Sequence, residues 1–421
     1  MKTLLKNCKI NNKIQNILIK DNIIDYIGLN ITSCDIEYDL KNKIVMPGMV
    51  DPHVHVRDLQ QAKKEDWTSV SEAALRGGVT TIFDMPNNKP PTINLHNLNL
   101  KREKAKVSQI NYMFNIAATN DNFQDIESIL KTKAPDISAL KLFLAGSNSN
   151  EYVSDIEKIK QIFDLSYKFD IPVICHTEIQ DCINKHKSKF RKPTIKNHKE
   201  IRNRECAIKG TELLIEIAKE TGGVFYSAHT YTKEEIELIA NNKDKCKVYC
   251  EVSPHHLLLN EDVLDVAGNF GKVNHPLGTK EDNKVLLKAI NTGTVDTIGS
   301  DHAPHLISEK LLVYENAPSG FPSIEIEVPL LLNEVNKGNL SFEKLIEITS
   351  LNTSNIFKLK NRGKIREGYF ADIVVVNMNK TWKIEAKKFK TKAKYSPYEG
   401  MTGKGDVFMT FVNGVLKYAS I

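Results

Sequence analysis

At 421 residues, with 41% hydrophobic and 26% charged side chains, the chain has the make-up of a folded protein large enough for one barrel-sized domain and a small accessory one. That balance excludes a disordered or fibrous class. A formal charge of +6 is mild for this length, and its lysines are interspersed with Glu and Asn as on a solvated helix face, which argues against a dedicated nucleic-acid surface.

Residues 1–43 read as short strands separated by Asn and Gly turns. The opening residues break the Leu4-Leu5 run with lysine and asparagine, unlike the apolar core of a signal peptide. No later stretch reaches the ~18 to 20 apolar residues of a membrane span, so a cytoplasmic protein without a membrane partner is expected. From about Ile44 to Glu315, short runs rich in Val, Ile, Phe and Tyr alternate with segments of helical periodicity, the pattern of repeated βα units. The runs are 50–56, 80–85, 112–118, 140–145, 172–176, 224–229, 248–252 and 297–300. Eight is the number that closes a barrel. The tail, 363–421, returns to strand patterns at 371–376 and 407–418.

The expected fold is therefore a (β/α)8 TIM barrel over residues 46–360, with a small β-sandwich built from 1–45 and 361–421. The seven cysteines are scattered and lack a Cys-x-x-Cys pair, so reduced thiols are expected, with Cys246 and Cys250 at core and strand positions. The densest basic stretch, 185–199 with Arg191, falls in an expected loop and suits small anions. The Ser- and Asn-rich loop 145–152 reads as a lid or as a plain exposed turn.

Ionisable and polar residues gather where the runs end: His53, His55, Asn87, Lys141, His176, His229 and Asp301. In a parallel barrel these ends share one rim, where barrel enzymes carry their chemistry. His53 and His55 alternate past Val54, so both imidazoles face one side and can reach one ion. Taken singly, each residue has a plainer reading: His176 or His229 as a buried histidine with a backbone partner, Asp301 as a helix cap. Together they form a nitrogen and oxygen donor set without thiolate, which suits zinc; paired ions in such sites lie ~3.5 to 4 Å apart. Lys141 is anomalous, because an ammonium ending an inward strand would repel cations and be costly to bury. Either it captures CO2 as a bridging carbamate, or it snorkels to an acid.

The motifs Pro47-Gly48-Met49-Val50-Asp51-Pro52-His53-Val54-His55-Val56-Arg57, Asp84-Met85-Pro86-Asn87, Leu140-Lys141-Leu142-Phe143, Val252-Ser253-Pro254-His255-His256, Ser300-Asp301-His302-Ala303-Pro304-His305 and Pro318-Ser319-Gly320-Phe321-Pro322 span nearly the whole barrel. With the tail segment Ser396-Pro397-Tyr398-Glu399-Gly400-Met401, they give a chain that resembles the cyclic amidohydrolases, most closely the lysine-bridged dihydroorotases. The resemblance implies two zinc ions bridged by carbamylated Lys141 and a hydroxide. His53, His55, Lys141 and Asp301 would surround one ion, and Lys141, His176 and His229 the other. Asp301 would also shuttle the proton. Arg57, with Asn87 and His305, would grip a substrate carboxylate, and Asn274 with the 318–321 backbone would line the ring pocket. Asn87 in its turn and His305 as a loop cap are the plainer alternatives.

The implied reaction interconverts L-dihydroorotate and N-carbamoyl-L-aspartate in pyrimidine synthesis. The implied partners are that small molecule, a second copy in a homodimer, and aspartate transcarbamoylase. Rival readings are a hydantoinase, dihydropyrimidinase or allantoinase, and a non-catalytic assembly partner of the transcarbamoylase. The chain departs from the family where Asp58-Leu59-Gln60 replaces Glu-Pro-Gly, where Asn88 replaces Thr, and in Asn274-His275-Pro276-Leu277-Gly278, where His and Gly stand for Pro and Arg.

Overall fold

The computed structural model describes residues 1–30, 33–146 and 152–420. Residues 147–151, most of the loop read as a lid, lie outside them. Five strands precede the barrel: β1 (Lys2–Ile10), β2 (Lys13–Lys20), β3 (Ile23–Gly28), β4 (Ile36–Asp39) and β5 (Ile44–Pro47). The barrel strands are β6 (Met49–Val54), β7 (Val79–Asp84), β8 (Asn111–Ala117), β9 (Ile137–Phe143), β10 (Pro172–His176), β11 (Val224–Ser227), β12 (Val248–Val252) and β13 (Thr297–Ile298). The tail adds β14 (Ile373–Lys383), β15 (Thr402–Val412) and β16 (Val415–Ala419).

Strands β6 to β13 pair in chain order, each parallel to the next, with helices crossing between them. Closure comes from a single parallel bridge between Val54 and His302, strengthened by the His55 N–H donating to His302 O at 2.8 Å. The closing strand is short because the chain leaves the ladder after Ile298 to carry its polar residues onto the rim. Inside, Val50, Phe83, Met113, Ala139, Ile174 and Tyr226 pack as one cluster. The outward faces of the strands pack against the helices in a second, larger one. The first crossing helix, Trp67–Gly77, shows how local sequence sets these bounds: Asp66 and Ser69 cap it reciprocally, and Gly78 ends it at φ 77°.

Both chain ends build one mixed sheet, in the order β16-β15-β14-β5-β1-β2-β3, with β4 also on β1. Its junction is the antiparallel pairing of β5 with β14, and Leu5, Ile17, Val45, Ile373 and Phe411 share its core. No helix among the described residues is long and apolar enough to cross a membrane.

One expectation is corrected. Cys182 and Cys206 form a disulfide, with Cα atoms 5.4 Å apart, rather than remaining thiols. Their separation of 24 residues spans a loop that returns one helix against another, a proximity no spacing rule reveals. The other described cysteines are free, and Cys250 is buried in β12.

Candidate metal and substrate site

Strand parity delivers the rim residues. Lys141 stands two residues beyond inward-facing Ala139 on β9, and His176 two beyond Ile174 on β10, where Ile174 registers against Lys141. Arg57, His229 and Asp301 follow the ends of β6, β11 and β13 with φ of 68°, 39° and 46°. This left-handed backbone costs a side-chain-bearing residue about 1–3 kcal/mol, which the surrounding packing must offset. His53, His55, Asn87, Lys141, His176, His229, Asn274 and Asp301 all line one cavity of about 20 Å³, roughly the room of one or two water molecules. A cleft of about 900 Å³ adjoins it and shares Asn274 and Ser319.

The imidazoles are held from behind. His53 Nδ1 lies 2.8 Å from Glu251 Oε1 and His55 Nδ1 2.7 Å from Asn87 Oδ1, so both rings turn Nε2 into the cavity. There the two Nε2 atoms approach Asp301 Oδ1 at 3.4 and 3.2 Å. Two donors sharing one tetrahedral ion at 2.0–2.1 Å lie ~3.3 Å apart. His176 Nε2 is 2.8 Å from Glu178 Oε2, which Arg202 Nη2 holds at 2.7 Å, leaving His176 Nδ1 to face His229 Nε2 at 3.2 Å.

Two polar atoms carry the test of fit to a metal pair. The Nζ of fully buried Lys141 has no hydrogen-bond partner, and neither does His229 Nδ1. Among the described residues Lys141 forms no ion pair, so the snorkelling alternative lacks its acid. Burial, only partly opposed by Glu251 and Asp301, lowers the Lys141 ammonium to about 8, within reach of the neutral amine that CO2 captures. Burial likewise lowers His55 to about 4 and His176 to about 3, keeping both neutral with lone pairs available. For Asp301, burial pushes upward but is outweighed by His53, His55 and His255, which hold the carboxyl well below its usual range. Neutral nitrogens, one carboxylate and an orphaned amine fit divalent cations.

Ring nitrogens of His176, His229 and His275 form one potential donor group, and those of His53 and His55 with a carboxylate oxygen of Asp301 form another. Both ring nitrogens of His275 also have protein neighbours, Nδ1 3.2 Å from His229 O and Nε2 3.3 Å from Thr177 Oγ1.

The four residues expected at the substrate divide. Asn87 and Asn274 line the cavity, and Asn274 Oδ1 accepts from Ser319 Oγ at 2.9 Å. Arg57 and His305 stand behind the wall, with Arg57 Nη2 3.0 Å from His305 Nε2 and Arg57 Nε donating to Pro304 O at 3.1 Å. Arg57 as a residue is 2% exposed and, among the described residues, forms no ion pair. Burial lowers it to about 10, so it keeps its charge at neutral pH.

Sequence reading missed the residues that aim the histidines. Glu251 accepts from the His229 N–H at 3.0 Å and from Tyr226 Oη at 3.0 Å, besides facing His53. Its signal was a carboxylate inside the otherwise apolar run of β12. Glu178 was signalled by its place two residues after His176. Gly299 makes room for both sides, since a Cβ there would lie 2.7 Å from the Glu251 carboxyl and 3.0 Å from His53 Cβ.

The model of the Amidohydrolase family matches residues 44–417. A protein named Dihydroorotase from Methanosphaera stadtmanae is 35% identical over 98% of this chain and 95% of its own length. One of the same name from Carboxydothermus hydrogenoformans is 32% identical over 96% and 93%. Among solved structures, L-hydantoinase (dihydropyrimidinase) from Arthrobacter aurescens superposes with a TM-score of 0.93 at 25% identity, covering 100% of this chain and 97% of that one. Dihydropyrimidinase from Brevibacillus agri gives 0.91 at 25% identity, covering 99% and 95%.

Proposed function

This chain belongs to the amidohydrolase family, and from that premise we propose that it is a dihydroorotase, opening L-dihydroorotate to N-carbamoyl-L-aspartate and closing it again. The observation that carries the substrate choice is Arg57, a buried guanidinium without an ion pair beside the donor cluster. A buried guanidinium held only by neutral partners and by carboxylates beyond ion-pair distance is costly, and a substrate carboxylate would meet it with two parallel hydrogen bonds.

In this reading His53, His55, Asp301 and a carbamylated Lys141 would hold one zinc ion, and Lys141, His176 and His229 would hold the second. The ion pair, when bound, supplies Lewis acidity toward water and the amide carbonyl. The chain's own groups do the rest. Glu251, Asn87 and Glu178 fix which nitrogen each histidine turns inward. Asp301 takes the proton of the attacking water and delivers it to the ring nitrogen as the C–N bond breaks, because an amide nitrogen leaves poorly unprotonated. Ring closure runs these transfers backward. The inner cavity of about 20 Å³ is smaller than the substrate ring, so the ring sits at its mouth between Asn274 and the Ser319 loop, open to the larger cleft. Asn87 meets the carboxylate there, and Arg57 with His305, held behind the wall in the structure, would turn toward the mouth to join it.

The rival is an amidase for rings without a carboxylate, favoured by the names of the structural neighbours. It leaves Arg57 without an ion-pair partner. Assaying the zinc-loaded protein with dihydroorotate, dihydrouracil, hydantoin and allantoin side by side decides between them. Turnover of dihydrouracil without dihydroorotate refutes the proposal. A homodimer and a complex with aspartate transcarbamoylase belong to the same reading, and sizing the protein alone and with that enzyme tests both.

A further inference from the structure

Outside the metal pocket, one cluster of nucleophilic and titratable side chains has no part in the chemistry above. Cys182 lies on the helix Gln180–Lys187 and Cys206 near the start of the helix Arg204–Thr221. His186, one helical turn after Cys182, places a ring nitrogen within 4.8 Å of both sulfurs. The two cysteines are unequal: Cys182 is partly exposed, whereas Cys206 is fully buried. His186 Nε2 lies 3.3 Å from Glu205 Oε2, which orients that nitrogen's proton outward and leaves Nδ1 as the accepting atom. Exposed Lys189, with Nζ 3.4 Å from Nδ1, must swing off that atom before it takes a proton, and Lys189 with neighbouring Lys185 offsets the Glu205 carboxylate, a balance that favours thiolate.

The crosslink also bounds a functional wall. The segment it closes carries Lys187, His198, Ile201 and Arg202, all bordering the cleft beside the metal pocket. Arg202 grips Glu178, and the next residue, Ile179, donates its N–H to Cys206 O at 3.2 Å.

We infer that Cys182 and Cys206 form a reversible thiol–disulfide exchange site, with Cys182 the attacking sulfur, Cys206 the resolving one and His186 the base. Its oxidation state sets how firmly the cleft wall is held. From the reduced form, His186 takes the Cys182 proton and the thiolate attacks a small-molecule disulfide, breaking its S–S bond and expelling one thiol, which leaves with that proton. Cys206 then gives up its proton and attacks the mixed disulfide at Cys182, releasing the second thiol. Two protein thiols are oxidised and one external disulfide is reduced to two thiols, so atoms and electrons balance. Closing the loop restricts its unfolded excursions, which ties the wall to the helix behind it.

The test treats reduced protein with glutathione disulfide and maps adducts by mass spectrometry. Cys206→Ser is expected to accumulate the adduct on Cys182, Cys182→Ser to form little on Cys206, and His186→Gln to slow adduct formation about tenfold at neutral pH. In wild-type protein under partial reduction, an alkylating agent should label Cys182 first. Trypsin should cut within 185–199 several-fold faster in the reduced form. Labelling of Cys206 first, an unchanged rate in His186→Gln, or equal cleavage of the two forms would overturn the inference. None of these readouts depends on which ring the enzyme opens.

Discussion

His53 Nε2 and Asp301 Oδ1 stand 3.4 Å apart, although one follows from the first barrel strand and the other from the last. The contact therefore reports barrel closure and donor convergence at once. If Asp301 also moves the proton, Asp301→Ala should lower kcat by about 10²- to 10⁴-fold while the folded state persists. Steady-state kinetics with circular dichroism check this; a mild loss would remove Asp301 from its assigned role.

Glu251 touches no substrate in this account and acts through His53 and the His229 backbone. Glu251→Gln should cost about 10- to 100-fold in zinc affinity or activity. Titration with a competing chelator reads the affinity, and unchanged binding would make Glu251 merely a buried partner of Tyr226.

Lys141 carries an orphaned buried nitrogen, and a carbamate supplies both its missing partner and a negative charge. Metal-free protein should take up two equivalents of zinc only when bicarbonate is present, and Lys141→Ala should lose that dependence along with activity. Elemental analysis after reconstitution with and without CO2 measures it. Equal uptake in both conditions would count against the bridge.

Gly299 leaves no space for a methyl group between Glu251 and His53. Gly299→Ala should destabilise by about 1–3 kcal/mol and reduce zinc content, because neither neighbour is free to retreat. Thermal denaturation and metal stoichiometry report both effects.

Away from the site, burial raises the Glu325 carboxyl to about 7. The folded protein then holds a proton that the unfolded chain releases near its ordinary 4.5. This stabilisation is fully present below pH 4.5 and is lost as pH rises through 7, amounting to at most about 3 kcal/mol. Relative to Glu325→Gln, wild-type stability should fall across that window in urea denaturation at stepped pH. Parallel curves would contradict the shift.

The barrel was legible because its strands, buried on both faces, stand out as short continuous apolar runs and because the rim residues sit at run ends. Even the short β13 was found within the run at 297–300, although its ladder extends only over Thr297–Ile298. The tail was read less finely, since the run at 407–418 hid the turn at Asn413 and Gly414 that separates β15 from β16. What stayed illegible were pairings across many strands. Glu251 behind His53, Arg202 on Glu178 and the Cys182–Cys206 bond each depend on how distant elements pack, and no local pattern encodes that. The placement of Arg57 was partly legible: its charge and position were evident, but its retreat behind the cavity wall with His305 was not.

The central claim is that Arg57 selects a ring bearing a carboxylate, and the ratio of kcat/KM for dihydroorotate to that for dihydrouracil measures it most directly. The account predicts a ratio above about 10² in the zinc-loaded wild type that falls by at least about tenfold in Arg57→Met, mainly through KM for dihydroorotate. A ratio unchanged by the substitution, or one favouring dihydrouracil in the wild type, would contradict it.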